Sequence, residues 1–413
     1  MHKDEVNTLW RISAICMGVA LPAMLLGKAL TSILLILALI FGMMATKDTS
    51  IRSSVSMFMS STLSKVLFAL LGAFTLSSLF SIDPNYSLEH TGQIAMVAVG
   101  AFFLFVVLRE MPSRYASMIM RTLVMSTLVV MVLCVLDATL HDERLSSALH
   151  GKDFWRPHRL NFMSPILAIL LPFMWAWMLK MYRESEVTAR YLSIPLVLLG
   201  AIAVFLTGGR AGWLAFALAG AVFLGFASRY HGIVLHKRHW GLGIITAALG
   251  LIGYGYSRGF HILVERLTFW NEPFGMGSGR DQIWKFAVDH MGMNPVTGIG
   301  VNAFRKLPLP AEGIASNAHP HNFLIQLFLE TGALGLIAGL VLWALVFKQF
   351  WHSAKADLYA LAGLSSFMAF SLAALFSASI FNATWLVFAI VPALLAYRMG
   401  WRTARTLPKK KKA

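Results

Sequence analysis

LYALAGLSSFMAFSLAALFSASIFNATWLVFAIVPALLAY, residues 358–397, runs for 40 residues without a Lys, Arg, Asp or Glu. A helix needs roughly 20 mostly apolar residues to cross a bilayer's hydrocarbon core, so this stretch reads as two crossings. The turn between them falls near Asn382. Working outward, further charge-free stretches lie at 12–27, 29–46, 66–82, 91–108, 122–136, 160–179, 191–209, 211–228 and 239–257, and one at 323–347 is broken only by Glu330. The pattern predicts an all-α polytopic membrane protein with about twelve transmembrane helices. Composition agrees: 57% of the 413 residues are hydrophobic and 13% charged, with a mean hydropathy of +0.68. A soluble protein has no interior large enough for that much apolar surface. Disorder and soluble nucleic-acid binding are excluded by the same numbers.

Charge orients the spans. With both termini cytoplasmic, the inner segments hold 23 of the 35 Lys and Arg residues, as the positive-inside rule requires. The net charge of +16 then belongs to short inner loops and to the basic tail 398–413, which ends in KKKK and contacts lipid headgroups rather than nucleic acid. The chain divides into helices one to nine over 1–257, one long outer loop over 258–322, helices ten to twelve over 323–397, and the tail. The first apolar stretch reads as a retained helix rather than a cleaved signal. Cys16 and Cys134 both fall in apolar stretches, which argues against a disulfide framework or a cysteine metal site.

Polar chemistry collects on the outer side. In GMGSGRDQIWKFAVDHMG, residues 275–292, Ser278 is a candidate N-cap and Arg280 falls in the first turn of a helix. Ile283, Trp284, Ala287, Val288 and Met291 give it an apolar stripe that suits the membrane surface. Two readings of Arg280 stand: a snorkelling side chain, or a phosphate ligand aided by the N–H groups of a helix N-terminus. Arg210, in LTGGRAGWLA, is either an interfacial anchor or a functional cation beside glycines that permit close backbone approach. Asn317-Ala318-His319-Pro320-His321-Asn322 precedes span ten; its histidines are a metal pair, a general base, or plain interface polarity. Glu330 is a proton relay or a hydrogen-bond partner in helix packing.

Several of these segments resemble the O-antigen ligase family. His321-Asn322, a nine-residue gap, then Gly332-x-x-Gly335 is similar to the family's His-Asn/Ser/Gln, nine-residue, Gly-x-x-Gly/Thr/Tyr pattern. Thr207-Gly208-Gly209-Arg210-Ala211-Gly212-Trp213 resembles a second block. A third has Arg280 and Trp284 followed by Pro295, Gly298, Gly300, Asn302 and Phe304, and a weaker match holds Arg159, Asn161 and Pro165. Gly209 stands where relatives often carry Ser, and Ser164-Pro165 replaces a frequent Asn-Pro.

The resemblance implies a GT-C-like membrane fold and an inverting glycosyltransferase needing neither metal nor cofactor. Its donor would be an undecaprenyl-diphosphate-linked glycan and its acceptor lipid A–core oligosaccharide, joined on the periplasmic face of the bacterial inner membrane. Carried onto this chain, Arg210 and Arg280 would hold the diphosphate and His321 would act as base. Asn322 would orient His321 or the acceptor, Arg159 would touch phosphate or sugar, and His319 would share the base role or contact substrate. An O-antigen polymerase, a protein O-oligosaccharyltransferase and, from another class, an anion transporter using intramembrane arginines are the competing readings. The sequence leaves Arg258, Arg266 and Arg305 without a role.

Overall fold

A computed structural model describes residues 3–139, 159–184, 187–207, 209–232, 280–308 and 319–401. These residues are overwhelmingly helical, with no strand among them. The main helices are α1 (Lys3–Ala20), α2 (Lys28–Ala45), α3 (Asp48–Ser60), α4 (Thr62–Leu79), α5 (Pro84–Glu110), α6 (Ser113–Thr139), α7 (Met163–Arg183), α8 (Val187–Leu206), α9 (Arg210–Tyr230), α10 (Arg280–Asp289), α11 (Phe323–Ser353), α12 (Leu358–Phe376) and α13 (Ala383–Ala396).

Nine helices among the described residues are long and apolar enough to span a bilayer, so the chain is a multi-pass membrane protein. The expected twelve differ from this at three places. The stretch 12–27 is split, because Pro22 ends α1 and opens a short 3-10 turn, Pro22–Leu26. Of the span expected at 191–209, the described apolar part of α8, Pro195–Leu206, is shorter than a crossing, because the residues before it are not described in full. The span expected at 239–257 lies outside the described residues. The break expected near Asn382 is present: Ser377 ends α12, and the Asn382 side chain caps α13 by accepting from the Thr384 N–H. The final span continues past the expected boundary, through a π-helical turn at Tyr397–Trp401 in which Arg398 is buried and donates to the Met111 carbonyl at 2.6 Å. The short helix α3 has no counterpart among the expected spans; Arg109 ties it down through Ser53 and Ser54.

α7 is the hub of the bundle. It is apolar on every face, and a helix of that kind buries itself in protein; it packs on α6, α8, α9, α12 and α13. Close approach comes from small residues, because apolar side chains gain little by leaving lipid for protein. α9 presents Ala211, Ala215, Ala219 and Ala227 on one buried face toward α7 and α12. By contrast α2 exposes Ile33, Ile36, Ile40 and Met44, a lipid-facing stripe.

The feature that shapes the end of the bundle at which α11 begins is a break inside that helix. Gly332 has φ 63° and ψ −166°, which interrupts the helix and frees backbone groups on both sides of it. The segment 294–300 docks there. Ile299 and Gly300 donate their N–H groups to the carbonyls of Leu329 and Glu330 at 3.0 and 2.9 Å, and the Ala333 N–H donates to the Pro295 carbonyl at 2.9 Å. A Cβ on Gly332 would overlap the Val296 carbonyl. The end of α4 and the residues after it close the other side: the Ile82 N–H donates to the Ile299 carbonyl at 3.0 Å, and the Ser77 hydroxyl to the Glu330 carbonyl at 2.6 Å.

Candidate functional site

Chain alternation through the bundle brings the starts of α5, α7, α9 and α11 and the end of α12 to one end, together with α10. Of the candidates named from sequence, Arg159, Arg210, Arg280, His319, His321 and Asn322 lie at that end.

Arg210 and Arg280 are each the first residue of a helix, α9 and α10, so each stands where backbone N–H groups and the helix dipole favour an anion. The two guanidiniums are close enough to repel. Burial first, and Arg210 second, hold Arg280 below the usual arginine range. Ser278, the expected cap of α10, lies outside the described residues. The expected apolar stripe of α10 is folded onto protein: Ile283 and Ala287 are buried against Ile299, Ala303, Phe304 and Leu329, while Val288 is 52% exposed. Trp284 fastens α10 to the histidine segment by donating its indole N–H to the Pro320 carbonyl at 2.8 Å.

The segment His319–Asn322 is a rigid turn. Pro320 restricts the backbone, His321 takes φ 54°, and Asn322 is extended as the N-cap of α11. A left-handed histidine is uncommon and costs free energy that its surroundings must hold. The Asn322 side-chain oxygen accepts from the Leu324 and Ile325 N–H groups at 3.0 and 3.2 Å, so its first task is capping. The His321 N–H donates to Nδ1 of His319 at 3.1 Å, and the two rings lie 4.0 Å apart. His319 Nδ1 is thereby an acceptor, and its neutral ring carries the proton on Nε2. Nδ1 of His321 lies 3.2 Å from the Ser377 carbonyl. A carbonyl only accepts, so the His321 proton sits on Nδ1 and the Nε2 lone pair is bare. Both imidazoles are held toward the neutral form. Burial, then His321, Arg305 and Arg280, push His319 down to about 3. Burial and Arg280 lower His321, against the Ser377 carbonyl, which raises it. Among the described residues no third His, Cys, Asp or Glu joins the pair in a metal-sized cluster.

Arg159 opens the 3-10 turn Arg159–Phe162 that leads into α7. The Asn161 carbonyl of that turn abuts Gly209, next to Arg210. The two departures noted from sequence meet here: the Ser164 hydroxyl reaches the Gly209 carbonyl at 3.2 Å, and a Cβ on Gly209 would come within 2.7 Å of the Asn161 oxygen and 2.8 Å of Ser164 Cβ.

Glu330 is fully buried and accepts three hydrogen bonds, from the N–H groups of Phe304 (3.0 Å) and Asn302 (3.1 Å) and from the Gln326 amide (3.2 Å). It therefore clamps the turn Ala303–Lys306 to α11, which is the packing reading of this residue. Three participants are absent from the sequence-derived set. Ser377 contributes only a backbone oxygen, which no residue pattern reveals. Tyr86 accepts from the Asn302 amide at 3.1 Å and lies beneath Arg305 and Lys306. Arg305 was visible as an outward arginine, but its proximity to His319 depends on the docking at Gly332.

A family model described as O-antigen ligase matches residues 195–340, a span that includes Arg210, Arg280, Arg305, both histidines and Glu330 but not Arg159. No curated protein matches the chain. The matched residues 195–340, which hold both arginines, the histidine pair and the Gly332 break, make this segment similar to the O-antigen ligase family.

Proposed function

We propose that this protein is an inverting glycosyltransferase that moves a glycan from undecaprenyl diphosphate to a sugar hydroxyl of lipid A–core, at the periplasmic face of the inner membrane. The family supports the coarser part, a glycosyltransferase-like ligase acting on polysaccharide and lipid-linked substrates. The single observation that carries the finer part is the bare Nε2 of His321 in a turn fastened, through Trp284, to the helix that begins with Arg280.

The chemistry follows from charge. A diphosphate leaving group needs its developing negative charge neutralised as the sugar–oxygen bond breaks, and Arg210 and Arg280 at two helix starts supply that. Their mutual repulsion is relieved when the anion arrives. His321 Nε2 takes the proton of the attacking acceptor hydroxyl, and the resulting imidazolium is steadied by the Ser377 carbonyl at Nδ1. His319 presents an N–H rather than a lone pair, which suits it to hold a substrate oxygen. Arg159, in the turn whose Asn161 carbonyl abuts Gly209, is a phosphate or sugar contact. The GT-C-like architecture belongs to the same proposal.

The testing assay combines purified protein, lipid-diphosphate-linked glycan and lipid A–core in the presence of EDTA. Ligated product that disappears in His321→Ala, with donor binding retained, supports the reading. Product formed from donor alone makes the enzyme a polymerase. Loss of donor binding in His321→Ala removes the base assignment.

A further inference from the structure

Arg280 and Arg305 both act on the histidine pair, and Arg210 stands beside Arg280; the proposed diphosphate clamp uses Arg210 and Arg280. Arg305, the third, is presented by a turn that is held from two sides. Glu330 accepts the N–H groups of Asn302 and Phe304, and the Asn302 amide donates to the Tyr86 hydroxyl. The Arg305 guanidinium lies 5.9 Å from the Tyr86 ring centroid. Its neighbour Lys306 is balanced by Asp83, Nζ to Oδ2 2.8 Å. Arg305 differs: it is exposed, its side chain hydrogen-bonds Tyr86, and it shares the field of the buried Glu330 carboxyl without an ion pair among the described residues. Its charge is felt at His319 alongside that of Arg280.

Helix packing sets the order of these groups. Arg210 opens α9, which packs on α7 and α12, whereas Tyr86 opens α5, which packs on α2, α4 and α13. α12 and α13 pack on each other between them, and His321 is bonded to Ser377 at the end of α12. Arg210 and the turn bearing Arg305 therefore stand on different sides of the α12–α13 pair. A preformed cluster of like charges is held against its own repulsion and is relieved by bound anions. In an inverting displacement the acceptor hydroxyl attacks the anomeric carbon from the side away from the diphosphate, so groups carried by the acceptor lie away from the Arg210–Arg280 clamp.

We propose that Arg305 forms a second anion subsite, on the acceptor side of His321, which takes a phosphate or carboxylate carried by the acceptor glycan. Ser77, Glu330, Asn302 and Tyr86 build it by fixing the turn; Arg305 makes the contact. The subsite rests on the transferase reading for the identity of its ligand.

The test uses full-length protein in nanodiscs and lipid A–core in three forms: intact, phosphatase-treated, and with carboxylates amidated. Binding to wild type, Arg305→Gln and Arg305→Lys is measured without donor, and initial rates are then taken with both substrates varied. The expected result is a loss of roughly tenfold or more in binding of intact acceptor by Arg305→Gln, with Arg305→Lys between the two. Wild type should lose the same factor on whichever modified acceptor lacks the recognised anion, and Arg305→Gln should no longer distinguish that form from the intact one. In turnover the factor should appear in the acceptor KM and not in the donor KM. Equal binding of intact acceptor by wild type and Arg305→Gln overturns the proposal, as does failure of wild type to bind any of the three forms. A rise confined to the donor KM also overturns it, by moving Arg305 into the diphosphate clamp. Because binding is read without donor, absence of transfer would count against the ligase reading while the binding comparison still decides Arg305.

Discussion

Nδ1 of His321 lies 3.2 Å from the backbone oxygen of Ser377, and that contact leaves the other ring nitrogen as the basic one. It joins the start of α11 to the end of α12, so the ring proposed as the base is aimed by two spanning helices rather than by its loop alone. The same ring is lowered by burial and by Arg280. An anion held by Arg280 cancels part of that effect, so under the proposed mechanism donor binding would make His321 more basic.

The pH profile carries the sign of this. A histidine held below its ordinary 6.5 stays neutral, and competent as a base, until the pH falls through its lowered value. The acid limb of kcat/KM for donor, which reports the free enzyme, should have its midpoint below 6.5. The acid limb of kcat, which reports the bound enzyme, should lie at higher pH than that of kcat/KM. Rate profiles in which the two limbs coincide, or fall in the opposite order, would remove Arg280 from the environment of the base.

Gly332 should tolerate no side chain. Alanine there meets both a left-handed φ and the Val296 carbonyl, so Gly332→Ala should cost on the order of 1–3 kcal/mol and release the 294–300 segment from α11. Gly72, inside α4 with open space where a Cβ would sit, is the control; Gly72→Ala should be neutral or slightly stabilising. Thermal unfolding in detergent separates the two, and equal stability for both variants would sink the docking argument.

What the sequence discloses here follows periodicity and composition. The 40-residue apolar run at 358–397 divides where Ser377 and Asn382 say it does, because length and capping are local properties. The outward arginines and the histidine pair were visible as residue types in the wrong kind of place, a polar cluster between apolar spans. Their placement on one face was visible, but the contacts that bring them together were not. Those contacts depend on Gly332 opening α11, on 294–300 entering that opening, and on a backbone oxygen of Ser377, and each of these joins positions far apart in the chain. The role of Glu330 was ambiguous for the same reason, since its partners Asn302 and Phe304 arrive only through the docked segment.

Glu330→Gln separates structure from proton transfer. All three donors face the two carboxylate oxygens, so an amide turns one acceptor into a donor pointed at an N–H. A buried bond of this kind costs about 1–3 kcal/mol to lose, more when the acceptor is charged. Lower thermal stability together with a raised acceptor KM is the expected outcome, because the turn carrying Arg305 loosens. Unchanged stability with turnover abolished would instead make Glu330 a proton relay.

Asn322 offers the sharpest test of how the base is aimed. Its oxygen caps α11 immediately after a histidine in a left-handed conformation, so the cap and the direction of His321 are set by one turn. Serine is a comparably good N-cap, while alanine forfeits about 1 kcal/mol. Asn322→Ser should therefore keep most of the wild-type kcat, and Asn322→Ala should lose much of it while donor binding persists, because Arg210 and Arg280 sit on other helices. A cap that served stability alone would show matching losses of unfolding temperature and activity in Asn322→Ala, both recovered by an unrelated stabilising change. If Nε2 is misdirected, the kcat loss survives that rescue. Full activity in Asn322→Ala would mean that the Ser377 carbonyl alone holds the ring.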